Sequence, residues 1–185
     1  MTGPRIAPLE PPYDEGTRRW LEKWMVPGVE VEPLALFRLL AVHPELADRC
    51  RPMASGLLGK GLLPARDREV VIARTTARAG AEYEWGVHAV VFGPAVGLRQ
   101  EELDALVTQP AEAFDERTAV LVAAADELAG TATIGEPTWL RLKELYDDRQ
   151  LIELLLLAGW YRTLSTVITA IRLPLEPWAA RFPAG

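Results

Sequence analysis

The sequence predicts an all-α fold, in the form of a helical bundle with a central antiparallel helix hairpin. Apolar residues recur at helical spacing in one segment after another, as they do between positions 70 and 77. Helix boundary signals flank these segments, for example Pro64 before that stripe and Gly80 after it. Clean runs of alternating apolar and polar residues between hairpin-type turns are missing, so we predict no strand.

Each predicted helix has its own start and stop signals. Asp14 and Asp115 can cap helices, because a side-chain oxygen at that position accepts a hydrogen bond from a free amide of the first turn. Pro44 and Pro137 suit the first turn of their helices, where the missing amide hydrogen is not needed. The helices are predicted at residues 14–25, 33–43, 44 to the glycine-rich segment at 56–62, 64–79, 81–92, 97–107, 114–130, 135–146 and 148–173.

The last of these helices, at residues 148–173, is apolar almost all round in its first half. A helix of this kind is expected in the middle of a bundle, where every face is covered. Its strongly apolar run from Leu151 to Trp160 is interrupted by Glu153 and is too short to cross a bilayer. We therefore expect no membrane-spanning segment.

Length and composition favour one folded domain. With 185 residues, 49% of them hydrophobic, the chain can bury one sizeable core. We divide it into residues 1–32, a proline-rich arm with the first helix, and residues 33–185, the main helical domain. The first 16 residues contain no apolar segment of a signal peptide, so we expect a soluble, cytoplasmic protein.

Charge and cysteine content argue against two classes of function. The net charge is −6 and the arginines are scattered among acidic residues, so we expect no nucleic-acid partner. Cys50 is the only cysteine, so no disulfide can form within the chain. Thiol-disulfide catalysis is then excluded unless two chains cooperate.

The segment AEYEWGVH, residues 81–88, contains the candidate catalytic residues. Glu84 and His88 lie one helical turn apart, so the carboxylate can hold the imidazole in one tautomer and raise its pKa. Glu69 on the preceding helix is expected to join them, because it lies eleven residues before Gly80 while His88 lies eight after it. The expected arrangement is a Glu-Glu-His proton relay.

Other interpretations of this pair remain open. A lone histidine beside an i−4 glutamate is commonly a simple ion pair that adds little stability. Glu84 and His88 could also face a metal ion, but further ligands of the right type are missing nearby, and His43 is the only other imidazole. We expect neither a metal nor a cofactor. The apolar residues around the pair favour a covered or cleft-lining site.

Three segments resemble the carboxymuconolactone decarboxylase and alkyl hydroperoxidase D superfamily of all-helical oligomers. They are RDREVVIARTTARAGAEYEWGVHAVVFGPAVGL, DERTAVLVAAADEL and QLIELLLLAGWYRTLSTVITAIRLPLEPW, and the likeness covers about residues 33–178. The resemblance implies an alkyl hydroperoxidase D-like helical bundle and a homo-oligomer, either a dimer, a trimer or a hexamer.

In the peroxidase branch of this superfamily, a glutamate on one helix precedes a Cys-x-x-Cys-x-x-x-His motif on the next, and the two thiols reduce peroxides. Glu69 matches that glutamate and His88 matches that histidine. Ala81 and Glu84 stand at the two cysteine positions. The sequence is therefore similar to a cysteine-free EYEWxxH subgroup nearer the decarboxylase side. Thiol peroxidase activity is disfavoured, while acid–base chemistry remains available.

The resemblance makes a cofactor-independent lyase or isomerase our leading hypothesis, acting through the relay on a small organic acid, lactone or ring substrate. Tyr83 and Trp85 are candidates for an apolar wall of the substrate site. Arg162, with Arg74 and Arg78, is a candidate for binding the negative charge of a substrate. The alternative is a non-catalytic small-molecule binding or assembly protein, in which the Glu-His pair only holds the hairpin together.

Overall fold

The computed structural model describes residues 3–25 and 32–184. Within those ranges all regular secondary structure is helical, so the all-α prediction is confirmed. Two short 3₁₀ helices lie at Pro94–Val96 and Ala111–Ala113. The α-helices are α1 (Glu15–Glu22), α2 (Ala35–Leu40), α3 (Pro44–Gly59), α4 (Ala65–Arg78), α5 (Glu82–Val91), α6 (Gln100–Thr108), α7 (Glu116–Thr131), α8 (Glu136–Leu145) and α9 (Asp148–Ile171).

The helix boundaries follow the signals in the sequence. The Asp14 carboxylate accepts a hydrogen bond from the amide of Thr17 at 2.9 Å. Asp115 does the same for the amide of Thr118 at 3.1 Å. The helix α1 is shorter than predicted, because after Glu22 the backbone closes into tighter turns. All the predicted helices are present, with boundaries that shift by a few residues.

The central helix of the bundle is α4. It packs against α5, α6, α7 and α9, and nine of its 14 residues are buried. Val70, Val71 and Ile72 are almost completely enclosed, with exposures of 0 to 1%. Because α4 also carries Glu69, its central position places a carboxylate inside the core.

The helix α9 lies at the side of the bundle, so the prediction of a helix covered on every face was wrong. Leu151, Leu154 and Leu157 are buried against the core. Ile152 and Leu156, on the other face, are 60% and 48% exposed. Hydrophobic periodicity shows that a face is apolar, but it does not show whether the same chain covers that face.

The run Leu151–Trp160 alone led us to expect no membrane-spanning segment. The whole of α9, however, has the length and the apolar composition needed to cross a membrane. Its 24 residues include an 18-residue window of mean hydropathy 1.4, of which 33% is buried inside the protein. The core helix of a globular protein passes the same test. The buried face of α9 contributes to the main hydrophobic core of this bundle.

Both ends of the described chain fold back onto the bundle. The amide of Arg5 donates a hydrogen bond to the carbonyl of Ile171 at 2.7 Å. Beyond α9, the Glu176 carboxylate accepts hydrogen bonds from the amide of Ala35 at 2.6 Å and from the hydroxyl of Tyr83 at 2.7 Å. The C-terminal segment, residues 172–184, thereby joins α2 to the first turn of α5.

An ion pair between a buried carboxylate and a partly exposed arginine holds the first turn of α4. The Asp67 carboxylate is 4% exposed and receives hydrogen bonds from Nε and Nη2 of Arg117 on α7, at 3.0 and 2.5 Å. The hydroxyl of Tyr146 donates to the same carboxylate at 2.8 Å. The Arg117 side chain is 43% exposed, so the pair stabilises the fold less than a fully enclosed one, but its loss would leave the enclosed Asp67 charge without its cation. The pair therefore fixes the backbone two residues before Glu69.

Gly86 lies where the C-terminal segment crosses α5, and a side chain at this position has no room. A Cβ atom on Gly86 would overlap the carbonyl oxygen of Ala180, whose amide donates to the Gly86 carbonyl at 3.3 Å. We expect Gly86→Ala to lower the free energy of unfolding by about 1–3 kcal/mol, because the added methyl displaces the segment. Urea denaturation measures the change.

Gly56→Ala on α3 is the matched control, because nothing lies within 4 Å of a Cβ atom at that helical position. It should raise the free energy of unfolding by about 0.5–1 kcal/mol, since alanine is the better helix former. Equal effects of the two substitutions would contradict the close approach described at Gly86.

Candidate active site

The candidate site lies between α4 and α5, which form an antiparallel hairpin. Their connection is short because Gly80 has a left-handed backbone with φ of 65°, which glycine adopts without steric cost. Glu69 faces α5 from the first half of α4, while Glu84 and His88 lie on α5 itself. The structure brings these three side chains together.

Glu69 and Glu84 approach different nitrogens of the His88 imidazole. Nδ1 lies 2.7 Å from Oε2 of Glu69, which is hydrogen-bond distance. Nε2 lies 3.6 Å from Oε1 of Glu84, within ion-pair distance but too long for a hydrogen bond. The sequence predicted that Glu84 holds the imidazole, whereas in the structure the carboxylate at hydrogen-bond distance is that of Glu69. Side chains one turn apart lie side by side on their helix, while Glu69 meets the ring from the facing helix.

The three side chains are almost completely enclosed. Their side-chain exposures are 2% for Glu69, 7% for Glu84 and 6% for His88. Phe92 stacks on the imidazole with ring centroids 4.6 Å apart, and Tyr161 of α9 meets it edge-on at 5.1 Å. These aromatic rings exclude water, so the charges interact through a medium of low polarity.

Arg68 adds a second basic group to the cluster. Its Nε donates to Oε1 of Glu69 at 3.1 Å, so the two oxygens of that carboxylate contact Arg68 and His88 separately. The Arg68 side chain is 15% exposed, more than the other charged members. Two carboxylates thus face one guanidinium and one imidazole, and the formal charges balance when the imidazole is protonated.

The surroundings of His88 keep its imidazole protonated at neutral pH. Burial by itself lowers the pKa of His88, because it disfavours the charged ring. The hydrogen bond to Glu69, together with the negative charges of Glu69 and Glu84, outweighs burial and raises the pKa of His88 to about 9. The imidazole is therefore a proton donor in the resting protein.

Comparison with known proteins agrees with this arrangement of helices. The sequence profile of the carboxymuconolactone decarboxylase family matches residues 44–127, a range that includes Glu69, Glu84 and His88. This match, together with the similar structures below, supports the carboxymuconolactone decarboxylase and AhpD-like superfamily. The family resemblance predicted from the sequence is thereby confirmed. No curated protein matches the chain closely enough to count as a relative.

Two solved structures share the fold of this chain at low sequence identity. An uncharacterized peroxidase-related protein from Silicibacter sp. TM1040 has a TM-score of 0.76 at 18% identity, with 99% of each chain covered. A protein from Agrobacterium tumefaciens, described as of unknown function and as a candidate AhpD antioxidant defence protein, has a TM-score of 0.67 at 14% identity. That match covers 74% of this chain and 94% of the other.

The residues predicted to bind substrate make other contacts in this protein. Tyr83 is tied to the C-terminal segment through its hydroxyl. Trp85 is 0% exposed and packs on Phe182 with ring centroids 5.3 Å apart. Arg162 is exposed on α9. Within the described part of the chain none of the three is hydrogen bonded to or stacked on His88, so their role in substrate binding stays a prediction.

Arg74 and Arg78, the other arginines considered for substrate binding, both contact Asp126 on α7. Nε and Nη2 of Arg74 donate to that carboxylate at 2.6 and 2.7 Å, and its Nη1 donates to the carbonyl of Leu106 at 2.7 Å. Nε of Arg78 lies 3.0 Å from the same carboxylate. Both guanidinium groups are thus engaged where α4 meets α6 and α7, and Arg68 is the arginine beside the relay.

The sequence analysis missed Arg68, Phe92 and Tyr161. Arg68 adjoins Glu69 in the sequence, and consecutive residues on a helix point in different directions, so their contact was not expected. A signal was available for Phe92, because it follows His88 by one helical turn. No local signal pointed to Tyr161, which comes from the distant helix α9.

A metal ion was the other interpretation of the Glu-His pair. Within residues 3–25 and 32–184, no group of three His, Cys, Asp or Glu side chains is arranged to hold one. Nδ1 of His88 is already in contact with Glu69, and Nε2 lies nearest to Glu84. The geometry favours proton exchange at this imidazole.

The raised pKa of His88 makes stability depend on pH. A histidine with a higher pKa in the folded state contributes its full stability below the unfolded value of 6.5, and this contribution is lost as the pH rises through about 9. We expect His88 to account for a fall of about 3 kcal/mol in the free energy of unfolding, since one pKa unit corresponds to about 1.4 kcal/mol. Urea denaturation at several pH values measures it.

His43→Gln is the matched control, because His43 is the only other histidine and its side chain is 65% exposed. This variant should keep the pH dependence of the wild type. His88→Gln should be less stable than the wild type at neutral pH and should lose most of that dependence. An unaltered pH profile in His88→Gln would show that the imidazole is not coupled to the two carboxylates.

Proposed function

We propose that this protein is a cofactor-independent lyase or isomerase in which His88 delivers a proton to a small organic acid, lactone or ring substrate. The observation that supports it is an imidazole held at Nδ1 by Glu69 and left without a hydrogen bond at Nε2 within the described residues. A group with a pKa of about 9 is an acid at neutral pH, which suits the protonation of an enolate. The family agrees with this class of chemistry and leaves the substrate open.

Decarboxylation of an unsaturated acid illustrates the step. The carbon–carbon bond to the carboxylate breaks, carbon dioxide leaves, and the electron pair of that bond moves into the conjugated system as a dienolate. Nε2–H of His88 then gives its proton to carbon. The imidazole recovers a proton from solvent or, in an isomerisation, from the substrate itself. Glu69 keeps the ring oriented, and Glu84 stabilises its positive charge near the departing proton.

Thiol chemistry does not fit the residues of this site. Ala81 and Glu84 occupy the positions at which the peroxidase branch has its two cysteines. Cys50, the only cysteine of the chain, lies half-buried on α3. One of the similar structures is described as peroxidase-related. A dithiol cycle, however, needs two thiols within reach of each other, and one chain supplies a single thiol.

Proton transfer from solvent to carbon tests the proposed function. Unsaturated lactone acids are incubated with the protein in D₂O, and NMR detects deuterium at the newly protonated carbon. We expect His88→Gln to lower the rate by about 10²–10⁴-fold, the usual contribution of a general acid. Glu69→Gln should lower the rate and shift the pH profile to lower pH, because it removes a charge that raises the pKa of His88.

His43→Gln is again the control, and this variant should turn the substrate over at the wild-type rate. Circular dichroism establishes that each variant is folded. A folded His88→Gln variant with wild-type turnover would refute the assignment of His88 as the proton donor.

A non-catalytic role is the second candidate, and the near-complete enclosure of the three relay side chains favours it. In that case the contacts of His88 only join α4 to α5. The variant His88→Gln would then lower the melting temperature and leave ligand affinity nearly unchanged. The same substitution therefore distinguishes the two functions.

We also propose that copies of this chain assemble through the α9 face, defined as Ile152, Leu155, Leu156, Gly159 and Thr163. The three large apolar side chains are 60%, 37% and 48% exposed. Contiguous apolar surface of this kind marks interaction sites on folded proteins. Nothing lies within 4 Å of a Cβ atom at Gly159, so a second helix can approach closely there.

A second copy fits the α9 face better than a charged partner does. The chain has a net charge of −6, so two copies repel each other over most of their surface. No charged residue lies between Leu154 and Tyr161, so this stretch can meet its equivalent without repulsion. A two-fold axis would place the same apolar residues opposite each other.

Size-exclusion chromatography with light scattering tests the assembly. We expect an oligomeric wild type and a shift to monomer in Leu156→Glu, because a charge would be buried in the interface. Leu140→Glu is the matched control, since Leu140 is 55% exposed on α8, outside the α9 face. A monomeric wild type contradicts the proposal. Flotation of that monomer with lipid vesicles would show that a membrane covers the α9 face instead.

A further inference from the structure

Arg68 and Tyr161, beside the relay, carry hydrogen-bond donors that no described residue uses. Arg68 has five N–H donors, and one of them, at Nε, bonds to Glu69. Within residues 3–25 and 32–184 its two Nη atoms and the hydroxyl of Tyr161 make no hydrogen bond. The Arg68 side chain is 15% exposed and Tyr161 is 4% exposed. None of these donor atoms is among the fully buried side-chain atoms without a partner in that part of the chain, so an oxygen supplied from outside the chain can reach them.

Both groups adjoin the atoms that move the proton. The Glu69 carboxylate connects Arg68 to the imidazole, since Oε1 accepts from Arg68 at 3.1 Å while Oε2 lies 2.7 Å from Nδ1 of His88. Tyr161 adjoins the imidazole directly, with the ring planes at 89° and the centroids 5.1 Å apart. A ligand bound by either free group therefore lies near His88.

The protonation states of the two groups suit an anionic oxygen. Burial raises the pKa of the Tyr161 hydroxyl, and the charges of Glu84 and Glu69 raise it further, so the hydroxyl stays a donor. The guanidinium of Arg68 is always charged. Together they offer O–H and N–H donors with a fixed positive charge, a combination that stabilises carboxylate and enolate oxygens.

We infer that Arg68 and Tyr161 form an oxyanion-binding pair that holds a carboxylate or enolate oxygen of the substrate beside His88. The inference rests on the function proposed above, because it names the groups that bind the molecule that His88 protonates. An oxyanion-binding pair limits the substrate to a small organic acid or to an acyl compound that forms an enolate. In the second case the negative charge of the enolate oxygen faces Arg68. That charge is neutralised when His88 gives its proton to the enolate carbon.

Benzoate is a suitable probe, because it is a small carboxylate without a reactive carbon. Benzoate is added in place of chloride, so that the ionic strength stays constant. NMR follows the ¹⁵N chemical shifts of the His88 imidazole in the full chain. We expect saturable binding, with a dissociation constant that rises at least about tenfold in Arg68→Gln and about threefold to tenfold in Tyr161→Phe. Arg149→Gln is the matched control and should leave it unchanged, since Arg149 is exposed in the first turn of α9, the helix that carries Tyr161, and lies far from it along that helix.

Arg68→Lys is a second variant, for the case in which Arg68→Gln does not fold. It keeps a positive charge beside Glu69. Its affinity for benzoate should lie between those of the wild type and Arg68→Gln, because lysine supplies the charge without the planar fork of donors. Absence of a saturable shift in the wild type overturns the oxyanion-binding pair. Equal affinities in the wild type and Arg68→Gln overturn it as well.

The benzoate experiment and the turnover experiment can fail independently of each other. If benzoate binding depends on Arg68 and Tyr161 while no substrate is turned over, the binding pair stands and the lyase or isomerase proposal fails. If a substrate is turned over equally well by the wild type and Arg68→Gln, the proposed function stands and the binding pair fails.

Discussion

The burial of two carboxylates around one imidazole is the constraint on which the rest of this structure depends. A buried carboxylate without a partner costs several kcal/mol, and two neighbouring carboxylates repel each other. His88 and Arg68 offset both effects, but only at the distances that the hairpin of α4 and α5 sets. A displacement of α5 along α4 would lengthen the 2.7 Å contact between Glu69 and His88 and leave a charge without its partner.

Contacts outside the site prevent that displacement. The ion pair of Asp67 with Arg117 holds the start of α4, and the C-terminal segment crosses α5 at Gly86. Tyr83 bonds to Glu176 and so fixes the first turn of α5. Hydrogen bonds of this kind are directional, so they set positions more strictly than apolar packing alone. Such fixed positions suit the proton transfer proposed for His88, because the surrounding dipoles are already oriented before a charge moves.

Local signals were enough to predict the helices and the hairpin, because caps such as Asp14 and breaks such as Gly80 act within a few residues. Glu69 could be placed near His88 by counting from Gly80, since an antiparallel pair fixes relative heights. Contacts between distant segments could not be predicted. Nothing local determines which residue of α9 meets the imidazole, so Tyr161 was missed. A flexible arginine contacts whichever carboxylate the tertiary fold brings near, and this explains why Arg68 was overlooked.

Enclosure of the imidazole by α9 also affects how the protein is made. The ribosome releases α4 and α5 well before α9 and the C-terminal segment, which cover them. Until those parts arrive, the acidic and basic side chains of the nascent hairpin can remain hydrated, and their proximity costs little. The charged side chains around His88 lose their hydrating water only when α9 docks, late in biosynthesis. A translation intermediate that ends before Tyr161 would carry the relay residues in an aqueous setting, without the shielding that tunes His88.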